Sequence, residues 1–339
     1  GNLRSPQAGE SFRVSPSFTL QEICQMAPSK KFLTFPQQIE YLKNVKCIDI
    51  SDEKAAVELL RQIGYFSLIG AYKELFRVPF TKKYKPGTAF DEIVSLYQFD
   101  AELRELFLKY LLQIERHIGN LIAYYFVELH GISQEEYMNP RNYNYTPRNM
   151  RTISGLIRKL HGAVYSSDYA HVSHYRSQYG NIPLWITTSV ITFGSLSKMY
   201  SVLSQSLRSK ICRHFPAVNQ KQLERFLSVL TKYRNVCAHG DRLFSYRTVE
   251  QILDTPLHVK MELAKQGNQY IYGKQDLFAV VIAFHYLLPE EDFKKFKRKL
   301  NDEIVKVNKK LIHISESELM EHMGFPPNWK NITRYSISP

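Results

Sequence analysis

Between positions 93 and 126, Leu103, Leu106, Phe107, Tyr110, Leu111, Ile114, Ile118, Leu121, Ile122 and Tyr125 recur every three or four residues, the spacing that aligns side chains on one side of an α-helix. The pattern predicts one long helix, or two with a bend. Its apolar stripe is too wide for a single neighbour to cover, so several helices must pack on it and an all-α bundle is expected. Further helices are predicted from Thr34-Phe35-Pro36 onward, with Ile39, Leu42 and Val45 at helical spacing, and over 51–63, 184–203, 221–236, 276–288 and 293–307. Strand-like alternation is nearly absent, apart from a short pair near 270–272.

In 339 residues, 44% of them hydrophobic, there is material for one large core or two modest ones. Residues 1–29, with Pro6, Pro16 and Pro28 and little periodicity, read as a loosely held arm. The rest divides into an amino-terminal helical part (30–140), a basic tyrosine-rich segment (141–180), a carboxy-terminal helical part (181–325) and a tail (326–339). The longest apolar run, 277–288, is too short to span a bilayer and contains His285, so it reads as a buried helix and no membrane partner is expected. Cys24, Cys47, Cys212 and Cys237 form no regular framework. With no signal-peptide pattern at the start, this makes the cytoplasm the expected compartment.

Charge narrows the partners. The 45 Lys+Arg exceed the 32 Asp+Glu by 13, an excess that favours polyanions, nucleic acid foremost. Residues 141–179 hold six basic side chains (Arg141, Arg148, Arg151, Arg158, Lys159, Arg176), six tyrosines and one acid, Asp168. Tyr143, Tyr145, Tyr169 or Tyr175 would stack unpaired bases there, unless the tyrosines simply pack the segment onto the bundle. Residues 294–310 carry eight Lys/Arg and two acids, led by Lys294 and Lys295. They read as a backbone-tracking helix face or as a merely solvated one.

The sharpest local feature is Tyr233-Arg234-Asn235-Val236-Cys237-Ala238-His239-Gly240, closing an amphipathic helix with apolar Leu223, Phe226, Leu227, Leu230 and Tyr233. At about 100° per residue, Asn235 and His239 fall roughly 40° apart on one face. Arg234 sits roughly 140° from His239, inside the apolar arc, where a guanidinium is costly unless an anion or partner meets it. Either the helix loosens near Gly240, or part of the arc is a subunit interface that brings Arg234 to a second chain's His239; a dimeric site is the preferred reading. The residue types suit RNA cleavage by its own 2′-hydroxyl, which needs a proton acceptor, a proton donor and positive charge at the phosphorus. Imidazole exchanges protons near neutrality, arginine forks onto phosphate, and Asn235 would hold the ring or the ribose. No metal or other cofactor is required. The plain alternative is a helix-end histidine and a surface arginine.

Five ordered landmarks carry a resemblance. These are Lys31-Phe32-Leu33-Thr34-Phe35 with Gln38 and Tyr41-Leu42; Ile63-Gly64-Tyr65-Phe66-Ser67-Leu68-Ile69-Gly70-Ala71-Tyr72; and Phe90-Asp91-Glu92-Ile93-Val94-Ser95-Leu96-Tyr97-Gln98-Phe99-Asp100 running on to Leu103-Arg104 and Ile114-Glu115-Arg116. Pro183-Leu184-Trp185 with Phe193-Gly194 comes fourth, and the motif helix with Arg242-Leu243-Phe244 fifth. Over about 30–250 the chain resembles the Abi family of abortive-infection proteins (AbiD/AbiF type), within the HEPN superfamily of helical ribonucleases. The resemblance implies a HEPN-type helical bundle and a metal-independent endoribonuclease toxin of phage defence. Arg234 and His239 fill its R-x4-6-H motif, with Asn235 as the polar residue after the arginine. HEPN sites usually combine two such motifs, and only one is present here, so the resemblance implies a homodimer. It also makes an RNA partner, a small non-coding antitoxin or guide, plausible beside an RNA substrate. The family often has an acid where Ser189 stands; its orienting role would pass to Glu115, beside Arg116.

Other motifs carry less. His171-x-x-His174 and Cys212-x-His214 lack third and fourth ligands for a metal. Ser195-x-x-Lys198 lacks its companion triplets, and no phosphate-cradling glycine loop is present. Two readings of another class stay open: a basic helical module that binds structured RNA without cutting it, and a phage-sensing adaptor.

Overall fold

A computed structural model describes residues 32–81 and 83–337; the arm proposed for 1–29 lies outside the described residues. Helix α1 (Phe35–Asn44) starts where Thr34 accepts the Gln37 N–H and Gln37 returns the bond to Thr34, a reciprocal cap. Asp52 caps α2 (Glu53–Ile63) by accepting the Ala55 N–H. A π-turn (Phe66–Gly70) then feeds α3 (Ala71–Phe76).

The long periodic stretch is one unbroken helix, α4 (Phe90–His130, 41 residues), stopped by Gly131 at φ +97°. Short α5 (Gln134–Met138) leads into α6 (Met150–Tyr165) and α7 (Ala170–Tyr179). The single helix expected over 184–203 is broken into α8 (Leu184–Thr187) and α9 (Phe193–Val202), because Thr192 accepts the Ser195 N–H and caps a new start. Next come α10 (Gln205–Cys212), α11 (Gln220–His239) and α12 (Pro256–Lys260). A two-residue hairpin pairs β1 (Lys265–Gln266) with β2 (Gln269–Tyr270), slightly ahead of the expected strand position. Helices α13 (Leu277–Leu287), α14 (Glu290–Asn308) and α15 (Glu316–Met323) complete the bundle.

Helix α4 is the axis. Helices α8, α9, α10, α11 and α14 pack on it, and α13 wedges between α11 and α14. Ten of the eleven residues of α13 are buried, which makes it the most enclosed helix and agrees with its reading as a core element. Two residues of the tail segment are also packed: Trp329 and Ile332 are 1% and 0% exposed. No helix among the described residues is long and apolar enough to cross a membrane.

Two buried titratable groups fix the approach to α13. The His258 ring is fully enclosed; Nδ1 accepts the Thr255 N–H at 3.1 Å, and Nε2 lies 2.9 Å from the Gly273 carbonyl. A neutral ring protonated on Nε2 satisfies both. Asp276 accepts the N–H groups of Gly273 and Ala279 and caps α13. Gly324, at φ +77°, crosses so close that a Cβ there would meet the Asp276 side chain at 2.4 Å.

Burial pushes His258 down to about 4 and Asp276 up to about 6. Neutral His258 adds stability that is lost as pH falls from its unfolded value, about 6.5, toward 4, whereas protonated Asp276 adds stability that is lost as pH rises through 6. The two effects oppose each other between about pH 4 and 6. Asp276→Asn removes one of them, so its melting temperature should fall more steeply than wild type on acidification through that window. Parallel slopes would refute the opposition.

Candidate functional site

Helix α11 opens with Asn219 and Gln222 exchanging caps and ends at Gly240, whose φ of +72° turns the chain away. Leu223, Phe226, Leu227, Leu230 and Tyr233 are buried, while Asn235 and His239 are exposed. The helix therefore stays regular through His239, and the loosening considered from the sequence does not occur. The partner that Arg234 requires comes from inside the chain: its Nε donates to Glu115 Oε2 at 3.2 Å. The Arg234 side chain is 27% exposed and that of Glu115 12%. Burial pushes the Glu115 carboxyl up, while Arg234 and the Phe193 N–H pull against that shift.

Five residues along a helix give a rise of roughly 7.5 Å and a turn of roughly 140°, so Arg234 and His239 address different surfaces of one chain. Arg234 lines a cleft of about 600 Å³ with Leu112, Glu115, Arg116, Asn120, Tyr169, Trp185, Ser189 and Ile191 among its walls. His239 is not among those walls. Ser189 Oγ donates to the Ile186 carbonyl and lies 3.1 Å from His171 Nε2, tying α7 to the turn between α8 and α9. The only bond from the Arg116 guanidinium among the described residues is a long one, 3.4 Å, from Nε to the Leu112 carbonyl.

The loop after His239 is held by a residue that the sequence reading passed over. Asp100 is fully buried on α4 and accepts from the Leu243 and Phe244 N–H groups, from Tyr72 Oη at 2.8 Å and from Arg104 Nη1 at 2.7 Å. Arg104 also reaches the Asp241 carbonyl. Glu92, near the start of α4, does the same for the far end of the chain. It accepts the Ile312 and His313 N–H groups at 2.6 and 2.8 Å and contacts His313 Nδ1 at 2.7 Å. Burial alone would raise the Glu92 carboxyl, but these bonds hold it below the usual carboxylate value. The signal was available: Asp100, like Glu115, is an acid on the apolar stripe of α4, where only a built-in partner makes it tolerable.

The basic segment is sorted by the fold. Arg141, Arg148, Arg151, Arg158 and Lys159 are exposed without an acid partner among the described residues, and Tyr145 is 53% exposed. Two of the expected RNA contacts are corrected. Tyr143 is 5% exposed and donates its hydroxyl to the Tyr137 carbonyl, so it packs the core and offers no stacking face. Arg176 turns inward to the Val164 and Ser167 carbonyls at the end of α6, so its fork is already engaged. Arg242 donates to the Ala71 carbonyl. Lys294 pairs with Glu290 and Glu291, and Lys295 with Asp292. Those two lysines are locally balanced, whereas Arg298 and Lys299 on the same helix make no ion pair among the described residues. Of the side motifs, Cys212 meets Tyr200 Oη and His214 meets Tyr125 Oη.

A family model described as Abi-like protein matches residues 58–245. No curated protein and no solved structure matches the chain. The matched span is more than half of the chain, and it takes in α4, the Asp100 clamp, the cleft and the Arg234–His239 helix, so this protein belongs to the Abi-like protein family.

Proposed function

We propose that the protein is a HEPN-type, metal-independent endoribonuclease of abortive infection, a toxin whose site is completed by a second copy of the chain. Family membership points to abortive infection. The observation that carries the chemistry is the division of the motif helix: Arg234 is held in an open cleft by Glu115, while His239 stands exposed at the helix end about 140° away. In this reading a two-fold partner brings its own His239 to the Arg234 cleft, so that the two groups meet one phosphodiester from two chains. In that site His239 takes the 2′-hydroxyl proton or returns one to the 5′-oxygen. Arg234 neutralises the phosphoryl oxygens, and Asn235, one turn before His239, orients ring or ribose. The products are a 2′,3′-cyclic phosphate and a 5′-hydroxyl. A structured non-coding RNA held on the exposed face of Arg148, Arg151, Arg158 and Lys159 is the natural restraint on such an activity.

Purified protein mixed with total RNA in EDTA is expected to cut, and an RNA with a 2′-methoxy group at the cleavage position should resist. Cutting that needs added magnesium, or that proceeds at the 2′-methoxy position, refutes this mechanism. The neutralising Glu115 favours one competing reading, a module that binds RNA without cutting it; salt-sensitive binding with no cleavage in any condition would establish that reading instead.

A further inference from the structure

Arg234 uses only its Nε on Glu115; its two Nη nitrogens have no partner among the described residues. The cleft that Arg234 lines also holds two large aromatics left in solvent, Trp185 at 41% and Tyr169 at 60% exposed. Trp185 touches no other ring among the described residues, and Tyr169 makes only a tilted contact with His171 at 5.8 Å. Arg116 and Asn120, one turn apart on α4, line the same space; among the described residues the Asn120 amide makes no side-chain bond and Arg116 meets no acid. Exposed aromatics gathered in a concavity rimmed by polar groups mark a ligand site, and about 600 Å³ is a ligand-sized volume. Two π-faces, one amide and two guanidinium groups match a nucleotide: ring faces for the base, an amide for its edge, forks for phosphate. A duplex keeps its bases stacked and cannot offer one.

We infer that this cleft takes one unstacked nucleobase of a single-stranded RNA, with Trp185 and Tyr169 as stacking walls, Asn120 at the base edge, and Arg116 with the free Arg234 nitrogens on the adjoining phosphate. The inference rests on the RNA reading above and gives the enzyme a preference for unpaired regions. The chain carries its own reporter, because the only other tryptophan, Trp329, is 1% exposed.

A single-stranded, fully 2′-O-methylated oligonucleotide, which 2′-hydroxyl attack cannot cut, is titrated into the full-length protein while tryptophan fluorescence is followed. Saturable quenching is expected, with little from the matching duplex. Trp185→Ala, read by anisotropy of a labelled strand, should weaken binding by about 5- to 100-fold. Tyr169→Ala, which keeps the reporter, should lower affinity with the quench retained. Unquenched fluorescence with an unaltered Trp185→Ala affinity overturns the proposal, and so does equal quenching by AMP, which assigns the cleft to a free nucleotide. The arms separate the two claims. Quenching without cleavage of ordinary RNA keeps the base site and sinks the nuclease; His239-dependent cleavage with unquenched Trp185 does the reverse.

Discussion

Replacing His239 with alanine is expected to slow RNA cleavage by roughly 10²- to 10⁴-fold, the usual contribution of a positioned acid or base. RNA affinity should hold, because Arg234 and the exposed basic face remain. His239 is exposed and makes no side-chain bond among the described residues, so the fold should lose no more than about 0.5 kcal/mol. Arg234→Gln should be similarly inactive while still offering Glu115 a donor. Mixing the two inactive variants discriminates further. If the site is built across a two-fold axis, each mixed dimer combines one intact Arg234 with one intact His239, and roughly a quarter of wild-type activity should return. An inactive mixture of exchanging subunits would show that both groups act within one chain, which the α11 geometry opposes. Full activity in His239→Ala would remove the histidine from the chemistry altogether.

The sequence announced the helices that bury a continuous stripe. The spacing from 93 to 126 became α4, and the apolar side of 221–236 became the buried side of α11. The same spacing in Ile153, Leu156, Leu160 and Val164 built α6, inside a stretch whose basic composition drew the reading toward RNA. The break between α8 and α9 was harder to see, because Ile186, Val190 and Ile191 continue an apolar pattern. What breaks it is a Thr192 cap among β-branched residues that favour the helix little.

The candidate site was legible to the same degree. The wheel placed Arg234 in the apolar arc and demanded a partner, but periodicity along one helix does not say which neighbour supplies it. Glu115 of α4, named only as a possible orienting residue, is the group it meets, and no second chain is needed to satisfy the guanidinium. Tyr143 and Arg176 show the reverse failure. Composition counted them among RNA contacts, yet whether a tyrosine stacks on a base or a core depends on which carbonyl its hydroxyl reaches.

Asp100→Ala is expected to cost about 3–5 kcal/mol, the penalty for breaking a buried charged pair, and to lower the melting temperature by roughly 4–7 °C. Burial pushes the Asp100 carboxyl up, while Arg104 and Tyr72 pull against that shift. Every group it faces is a donor, so the ionised form fits the site. Its loss takes the shared acceptor from the Leu243 and Phe244 amides and the Tyr72 hydroxyl, and leaves Arg104 with only the Asp241 carbonyl. Asp100→Asn, which keeps the size and one acceptor oxygen, should cost less. Those two amides begin three residues after Gly240, so the clamp also fixes where α11 ends and where His239 points. Hydrogen exchange at Leu243 and Phe244 should quicken in Asp100→Asn, and cleavage should fall further than the folded fraction does. If exchange there stays slow and the melting temperature is unmoved, Asp100 is not the anchor of the motif loop.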